Sequence, residues 1–134
     1  MNLTKRFYIQ MFRIAALWNL VLGISGVILY SLCMWMILGS YSSSVTDITM
    51  IFYRFFMIAV VIFGIGYLIV SVDLEKNDGI VWMGAFAKII IFIYVIFYFI
   101  TDKVTIFFLI IALADLIFAA FFFMYLFSKK RSLF

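Results

Sequence analysis

The sequence predicts an all-α polytopic membrane protein, folded as an antiparallel bundle of four transmembrane helices. Apolar residues make up 69% of its 134 residues and charged residues only 12%, whereas a soluble domain has about 45–50% apolar and about 25% charged residues. The apolar residues also form four runs, each longer than the roughly 20 residues with which a helix crosses a bilayer core. The runs, which define a single four-span domain covering residues 1–134, lie near 14–38, 51–72, 80–100 and 104–127.

The pattern inside these runs favours helices over strands. Membrane strands alternate apolar and polar side chains, but residues 89–100, IIIFIYVIFYFI, show no alternation. A helix also satisfies its backbone hydrogen bonds within one segment, as lipid requires. The first run follows Lys5 and Arg6 as in a signal peptide, but it exceeds the about 7–15 apolar residues of such a peptide. We therefore interpret it as a retained span.

Short segments connect the spans. Residues 1–13 are basic and aromatic and predict an interfacial helical turn that leads into the first span. A Ser/Thr-rich loop at 39–49, a charged linker at 73–79 and a tight turn at 101–103 follow. Such connections favour antiparallel neighbours, so spans three and four should form a tight hairpin and spans two and three should pair likewise. Trp18 belongs with the aromatic residues expected near the membrane interfaces.

The basic residues predict the orientation. In a four-span chain both termini and the middle linker lie on one side, and the side richer in Lys and Arg faces the cytoplasm. The terminal side holds seven basic residues and the other side two, which predicts cytoplasmic termini, in what we expect to be a bacterial inner membrane. The seven are Lys5, Arg6, Arg13, Lys76, Lys129, Lys130 and Arg131, and the two are Arg54 and Lys103.

Several classes of function are excluded or disfavoured by composition. The chain has no histidine and one cysteine, Cys33, which excludes His-ligated haem, His-based triads and an internal disulfide. The linker carboxylates Asp73, Glu75 and Asp78 lack the spacing of a calcium loop, so no metal site and no cofactor is predicted. The net charge of +4 is explained by topology and anionic lipid, so the expected partner is the lipid bilayer and not nucleic acid.

Two charged residues lie deep inside apolar runs. Lys88 comes nine residues after Gly79, or about 13.5 Å into the third span, and Asp115 comes eleven residues after Val104, or about 16.5 Å into the fourth. Because the two spans run in opposite directions, these depths coincide near the middle of a core of about 30 Å. An isolated charge there costs about 2.5–3.5 kcal/mol, so we predict a Lys88–Asp115 ion pair. Its role stays open between helix register, a proton relay and a ligand contact.

Asn19 is the next intramembrane polar residue. It shares a helical face with small residues, which is typical of a helix interface in membranes. Interhelical packing is therefore favoured, and orienting a ligand or a water molecule near the pair is the alternative. Counting along the connections places it near Ile69 and Trp82, a turn or two below the pair. The small residues of this face are Ala15, Ala16, Gly23 and Gly26.

Gly64 and Gly66 in the second span fall near the level of Lys88. The favoured interpretation is close helix packing, since small residues let helix backbones approach. The alternative is that they leave room for a ligand.

Three functions follow as hypotheses. The first is a non-catalytic subunit or assembly partner in a membrane complex, including self-association. The second is a small proton-coupled transporter or lipophilic-ligand binder that uses Lys88 and Asp115. In length and span count the chain resembles the small multidrug transporters, but its first span contains no acidic residue. An enzyme acting on a lipid or quinone is disfavoured, because histidine and paired intramembrane carboxylates are absent.

Overall fold

The computed structural model describes the backbone of residues 3–132 and the side chains of residues 4–129. Within that range it is helical, and four of its helices are long and apolar enough to cross a membrane, namely α1, α3, α4 and α5. The prediction of an all-α four-helix membrane protein is confirmed. The helices are α1 (Leu3–Ile28), α2 (Tyr30–Leu38), α3 (Asp47–Val72), α4 (Asp78–Ile100) and α5 (Ile106–Ser132), with a 3₁₀ helix at Gly39–Ser44.

The first predicted span, 14–38, differs from the observed helices at both ends. Helix α1 begins at Leu3 and ends at Ile28, and residues 30–38 form the separate helix α2. The break falls at Leu29, whose φ of −103° and ψ of 38° lie outside the helical region. Just before it, the Ser25 hydroxyl donates to the carbonyl of Val21 at 2.6 Å. Such back-bonding from serine often bends a helix.

Aromatic packing explains why α1 starts so early. Tyr8 and Phe12 are buried, and their ring centroids lie 5.2 Å from Tyr125 and 5.1 Å from Phe122, respectively. Tyr67 of α3 joins them, with its ring 4.9 Å from Phe122. We call this end of the bundle, which contains the start of α1 and the turn between α3 and α4, the linker end. The opposite end is the far end.

The helices associate mainly as two pairs, α1 with α3 and α4 with α5. The α4–α5 hairpin has the tight turn that its short connection predicts, with Asp102 at a φ of 55°. Helices α3 and α4 contact each other less extensively, so the second span pairs with the first and not with the third as expected. Gly23 of α1 explains this choice, because a Cβ there would lie 2.9 Å from the carbonyl oxygen of Met57.

Two side chains of α5 fasten the linker that precedes α4. The Tyr125 hydroxyl donates to the carbonyl of Leu74. The Lys129 ammonium lies 2.8 Å from both carboxylate oxygens of Asp78 and donates to the carbonyl of Glu75 at 2.8 Å. The linker and the start of α4 are therefore held against the end of α5.

The turn at the start of this linker has a polar contact of its own. The backbone N–H of Glu75 donates to Asp73 Oδ1 at 3.0 Å, and this bond, with the nearby Lys76 ammonium, holds the pKa of the Asp73 carboxyl below its ordinary value. A lowered pKa means that the contact stabilises the turn at neutral pH and is lost only as the pH falls through that value.

Helix α2 is attached to the turn between α4 and α5 at the far end. The backbone N–H of Thr105 donates to the carbonyl of Ile37 at 2.8 Å, and its hydroxyl donates to the carbonyl of Met36. Gly39 follows α2 with a φ of 57°, a conformation that glycine adopts without steric cost. Helix α2 is therefore part of the bundle, although it is too short to cross a membrane.

Candidate functional site

Lys88 and Asp115 form the ion pair that the hairpin register predicts. The Lys88 ammonium donates to Asp115 Oδ1, and the two side chains are only 5% and 17% exposed. Lys88 lies about 15 Å along α4 from Asp78, and Asp115 lies about 13.5 Å along α5 from Ile106. The two depths add up to one bilayer core of about 30 Å, which puts the contact near its middle.

Helix α1 contributes two further polar groups to the pair. Asn19 Oδ1 accepts a hydrogen bond from Lys88 Nζ at 3.1 Å, and the Trp18 indole N–H donates to Asp115 Oδ1 at 3.2 Å. The other end of the Asn19 amide donates to the carbonyl of Val60 at 3.4 Å. We refer to Trp18, Asn19, Lys88 and Asp115 together as the polar cluster.

The position of Asn19 corrects the count along the chain, which placed it a turn or two below the pair. Asn19 contacts Lys88 directly, because α1 begins at Leu3 and not at residue 14. The sequence predicts Trp18 near the interface, yet it contacts Asp115 at mid-membrane, because α1 begins at Leu3 and carries Trp18 to that level. The burial of Tyr8, which reveals the true start of α1, is a tertiary contact and has no simple signal in the sequence.

Two aromatic rings lie close to the Lys88 ammonium group. Lys88 Nζ lies 5.8 Å from the ring centroid of Tyr67 and 5.7 Å from that of Phe118, within the range of a cation–π contact. Gly84 leaves room for the Tyr67 ring, because a Cβ added to Gly84 would lie 2.8 Å from Tyr67 Cε1 and closer still to the hydroxyl oxygen.

The two glycines singled out in the second span have different neighbours. A Cβ on Gly64 would lie 3.2 Å from the Cβ of Asn19, so this glycine lets α1 and α3 approach beside the polar cluster. A Cβ on Gly66 would lie 3.0 Å from Ile80 Cγ2, two turns from Lys88 towards the linker end. Close packing describes both positions, and Gly66 is not part of the cluster.

A cavity of about 320 Å³ extends from the polar cluster towards the far end and is partly open to the outside of the bundle. Lys88, Asp115 and Asn19 line one end of it, and its remaining walls are almost entirely apolar. The space exists because three facing helices present alanine to it. These alanines are Ala59 of α3, Ala87 of α4 and Ala112 of α5.

The far end of the cavity holds two groups of modest polarity. The hydroxyl oxygen of Tyr53 is buried and has no hydrogen-bond partner among the side chains and backbone of the described range. Cys33 of α2 also lines the cavity and is partly buried, with its sulfur 3.7 Å from the carbonyl oxygen of Ser25. Tyr53 lies seven residues before Val60, so it is about 10.5 Å from the Asn19 level along α3.

The side of the polar cluster that faces the linker end is closely packed. Phe12, Tyr67 and Phe122 fill the bundle there and are at most 1% exposed. The cavity therefore ends at the cluster. No group of three or more metal-ligating side chains occurs within the part of the chain that the structure describes.

Comparison with protein family models, with curated proteins and with solved structures found no match to this chain. Its fold defines it as a small integral membrane protein of four transmembrane helices. Its site is a cavity that is closed at one end by a buried ion pair. A function therefore has to be inferred from this site.

Proposed function

We propose that this protein binds a lipophilic small molecule inside its helix bundle, with the polar group of that molecule at Lys88 and Asp115. One observation carries the proposal: the buried ion pair lines a cavity instead of being enclosed on all sides by packed side chains. An ion pair that only fixed helix register would need no such space. Charged residues within membranes characteristically face a bundle interior or a cavity and mark ligand or ion paths.

The size and walls of the cavity support a lipophilic ligand. Its volume of about 320 Å³ lies at the lower end of the about 300–1,000 Å³ that is usual for small-molecule sites. Such sites have apolar walls with a few placed polar groups, and the polar cluster supplies those groups here. The partly open side of the cavity gives a molecule dissolved in the bilayer a route into it.

The packing between the polar cluster and the linker end favours ligand binding over proton-coupled transport. Phe12, Tyr67 and Phe122 pack the bundle between the cluster and the linker end, and a transport path would have to cross that layer. The hypothesis of a subunit or assembly partner stays a prediction, and it is compatible with a bound lipophilic molecule. An enzymatic role has no additional support, since the other acid–base groups that line the cavity, Cys33, Tyr53 and Tyr67, form no catalytic arrangement with the cluster.

Methylthiolation of Cys33, the only cysteine, to a mixed methyl disulfide tests the proposal. Purified protein in lipid nanodiscs is treated with methyl methanethiosulfonate, with and without 1-decanol, and modification is followed by intact mass. We expect 1-decanol to slow the reaction of Cys33 at least fivefold in a saturable way. As a matched control, Leu32→Cys in a Cys33→Ser background places the thiol on the lipid-facing side of α2, where Leu32 is 54% exposed, and its reaction should be unaffected.

Filling the cavity provides a second arm of this test. Ala87→Leu adds side-chain volume at the cavity wall and should abolish protection by 1-decanol. Ala120→Leu adds the same volume on an exposed face of α5 and should leave protection intact. Equal slowing at Cys33 and at the Leu32→Cys position, or full protection in the Ala87→Leu protein, contradicts binding inside the bundle.

The orientation belongs to the same proposal: both termini lie in the cytoplasm of a bacterium and the chain resides in the inner membrane. The charge bias supports it, and Lys5, Lys76 and Lys129 are all at the linker end of the bundle. The side chains of Lys130 and Arg131, which also count towards this bias, lie outside the described residues.

Cysteine labelling in intact cells tests this orientation. In a Cys33→Ser background, a membrane-impermeant maleimide should label Ser43→Cys at the far end. It should label Lys76→Cys in the linker only after the cells are permeabilised. The reverse pattern refutes the assigned orientation.

A further inference from the structure

The unused hydrogen-bonding capacity of the polar cluster indicates which head group it accepts. We propose that the ligand carries an uncharged hydroxyl group, as in a fatty alcohol or an alkylphenol. This inference rests on the binding function proposed above and names its ligand class. It follows from the donors, the acceptors and the net charge at the closed end of the cavity.

The donors at this end are only partly used. An ammonium group has three N–H donors, and Lys88 directs them to two protein acceptors, Asp115 and Asn19. The Asn19 amide has two N–H donors, of which one is directed to the carbonyl of Val60. Both residues line the cavity, so a ligand oxygen that enters it meets donors that the protein leaves available.

One oxygen of the Asp115 carboxylate is not used as a hydrogen-bond acceptor. Asp115 Oδ1 receives both Lys88 and Trp18, whereas Asp115 Oδ2 accepts no hydrogen bond from any group in the described part of the chain. A hydroxyl group donates one hydrogen bond and accepts others. It is therefore the smallest head group that can satisfy Asp115 Oδ2 and a donor from Lys88 or Asn19 at the same time.

The charge of the cluster disfavours ionic head groups. Lys88 and Asp115 together are neutral; Lys88 is buried and Asp115 is partly buried, at 5% and 17% side-chain exposure. An anionic head group would lie beside the Asp115 carboxylate, and a cationic one beside the Lys88 ammonium. Either would introduce an uncompensated charge into a medium where charges are poorly solvated. An ether or a ketone avoids this cost but donates nothing to Asp115 Oδ2.

The dimensions set the size of the ligand. The cavity volume of about 320 Å³ is roughly twice that of an apolar cavity of about 150 Å³ that holds benzene. A molecule of about twelve non-hydrogen atoms therefore fits within it. The distance of about 10.5 Å from the Asn19 level to Tyr53 along α3 suits a short chain or a substituted ring.

A series of probes with one tail and different head groups tests the inference. Protection of Cys33 in nanodiscs is measured for decane, 1-methoxydecane, 1-decanol, decanesulfonate and decyltrimethylammonium, at concentrations expressed per lipid. We expect 1-decanol to protect at a concentration at least fivefold lower than 1-methoxydecane or decane. The two permanently charged probes should need at least tenfold more than 1-decanol.

The double variant Lys88→Met/Asp115→Leu supplies the control for the head group. It removes both charges together, so neither is left alone in the membrane, and its folding is checked by circular dichroism. The double variant should still bind the decyl tail but should no longer distinguish 1-decanol from 1-methoxydecane. If it does not fold, the comparison of the two probes on the natural chain decides by itself.

The possible outcomes separate this inference from the proposed function. Equal protection by decane, 1-methoxydecane and 1-decanol, or stronger protection by a charged probe, overturns the hydroxyl assignment and leaves binding inside the bundle intact. The absence of protection by every probe overturns both. Retained preference for 1-decanol in the folded double variant places the head group elsewhere than at the polar cluster and also overturns the assignment.

Discussion

Removing one member of the Lys88–Asp115 pair should destabilise the protein far more than removing both. Asp115→Asn keeps the shape of the side chain but leaves the Lys88 ammonium, which is 4% exposed, without a counter-charge. Lys88→Met does the converse and leaves the Asp115 carboxylate without its cation. The double variant Lys88→Met/Asp115→Asn leaves neither charge in the membrane, so it serves as the reference for the other two.

The exposure of each charge and the hydrogen bonds that remain to it determine how much stability each variant should lose. Breaking a buried ion pair costs about 3–5 kcal/mol, and a lone charge at mid-bilayer costs about 2.5–3.5 kcal/mol. We expect Asp115→Asn to cost about 3 kcal/mol, because Lys88 loses its counter-charge and keeps only uncharged acceptors, Asn19 and the new amide oxygen. Lys88→Met should cost about 2 kcal/mol, because Asp115 is 17% exposed and keeps the Trp18 donor. The double variant Lys88→Met/Asp115→Asn should cost about 1 kcal/mol.

Reversible unfolding in mixed micelles, driven by increasing SDS and followed by tryptophan fluorescence, measures these free energies. The double-mutant cycle then gives the coupling between the two residues. Lys103→Met is the matched control, because its ammonium is exposed at the far end and contacts the Tyr41 side chain. We expect the control to change the free energy of unfolding by less than about 0.5 kcal/mol.

The measured coupling discriminates an ion pair from an ordinary hydrogen bond. Interhelical hydrogen bonds in a membrane protein contribute about 0.6 kcal/mol on average and about 1.7 kcal/mol at most. Our values for the three variants correspond to a coupling of about 4 kcal/mol. A coupling near 0.6 kcal/mol, or a Lys88→Met protein as stable as the Lys103→Met control, would refute the conclusion that Lys88 and Asp115 are a buried charged pair.

Two further substitutions test the packing beside the polar cluster and the attachment of the linker. Gly84→Ala should destabilise the protein by about 1–3 kcal/mol, because the new Cβ overlaps the buried Tyr67 ring. Gly79→Ala is its control in the same SDS titration. The added Cβ of Gly79→Ala meets no atom within 4 Å, so this variant should change stability little. Tyr125→Phe should cost about 1–2 kcal/mol, because it removes the hydroxyl donor to the Leu74 carbonyl, and amide hydrogen exchange in the linker should accelerate. An unchanged exchange rate would show that this bond does not hold the linker.

Register within the α4–α5 hairpin could be predicted from sequence because it depends on local geometry. A helix rises about 1.5 Å per residue, and the turn between the two spans is too short to let them slide. Lys88 and Asp115 therefore had to meet once both helices crossed the same membrane. The same reasoning failed for Asn19, because it began from an incorrect start of α1.

The start of α1 could not be predicted, because residues 4–13 have a mixed composition that suggests an interface. Only one face of this segment is apolar, and Tyr8, Met11 and Phe12 on it are buried against other helices. The end of α1 could not be predicted from the sequence either. An apolar run without proline gives no signal for the break at Leu29, which separates α2 from α1.

The sequence by itself determined that the chain is a helical membrane protein with four spans, because a bilayer core of fixed thickness converts lengths of apolar sequence directly into crossings. It also determined the height of the two buried charges. The tertiary structure decided that α1 brings Trp18 and Asn19 to these charges, and that Ala59, Ala87 and Ala112 leave a cavity above them. Those features depend on how helices distant in sequence rotate and pack against one another, which the pattern of a single helix does not specify.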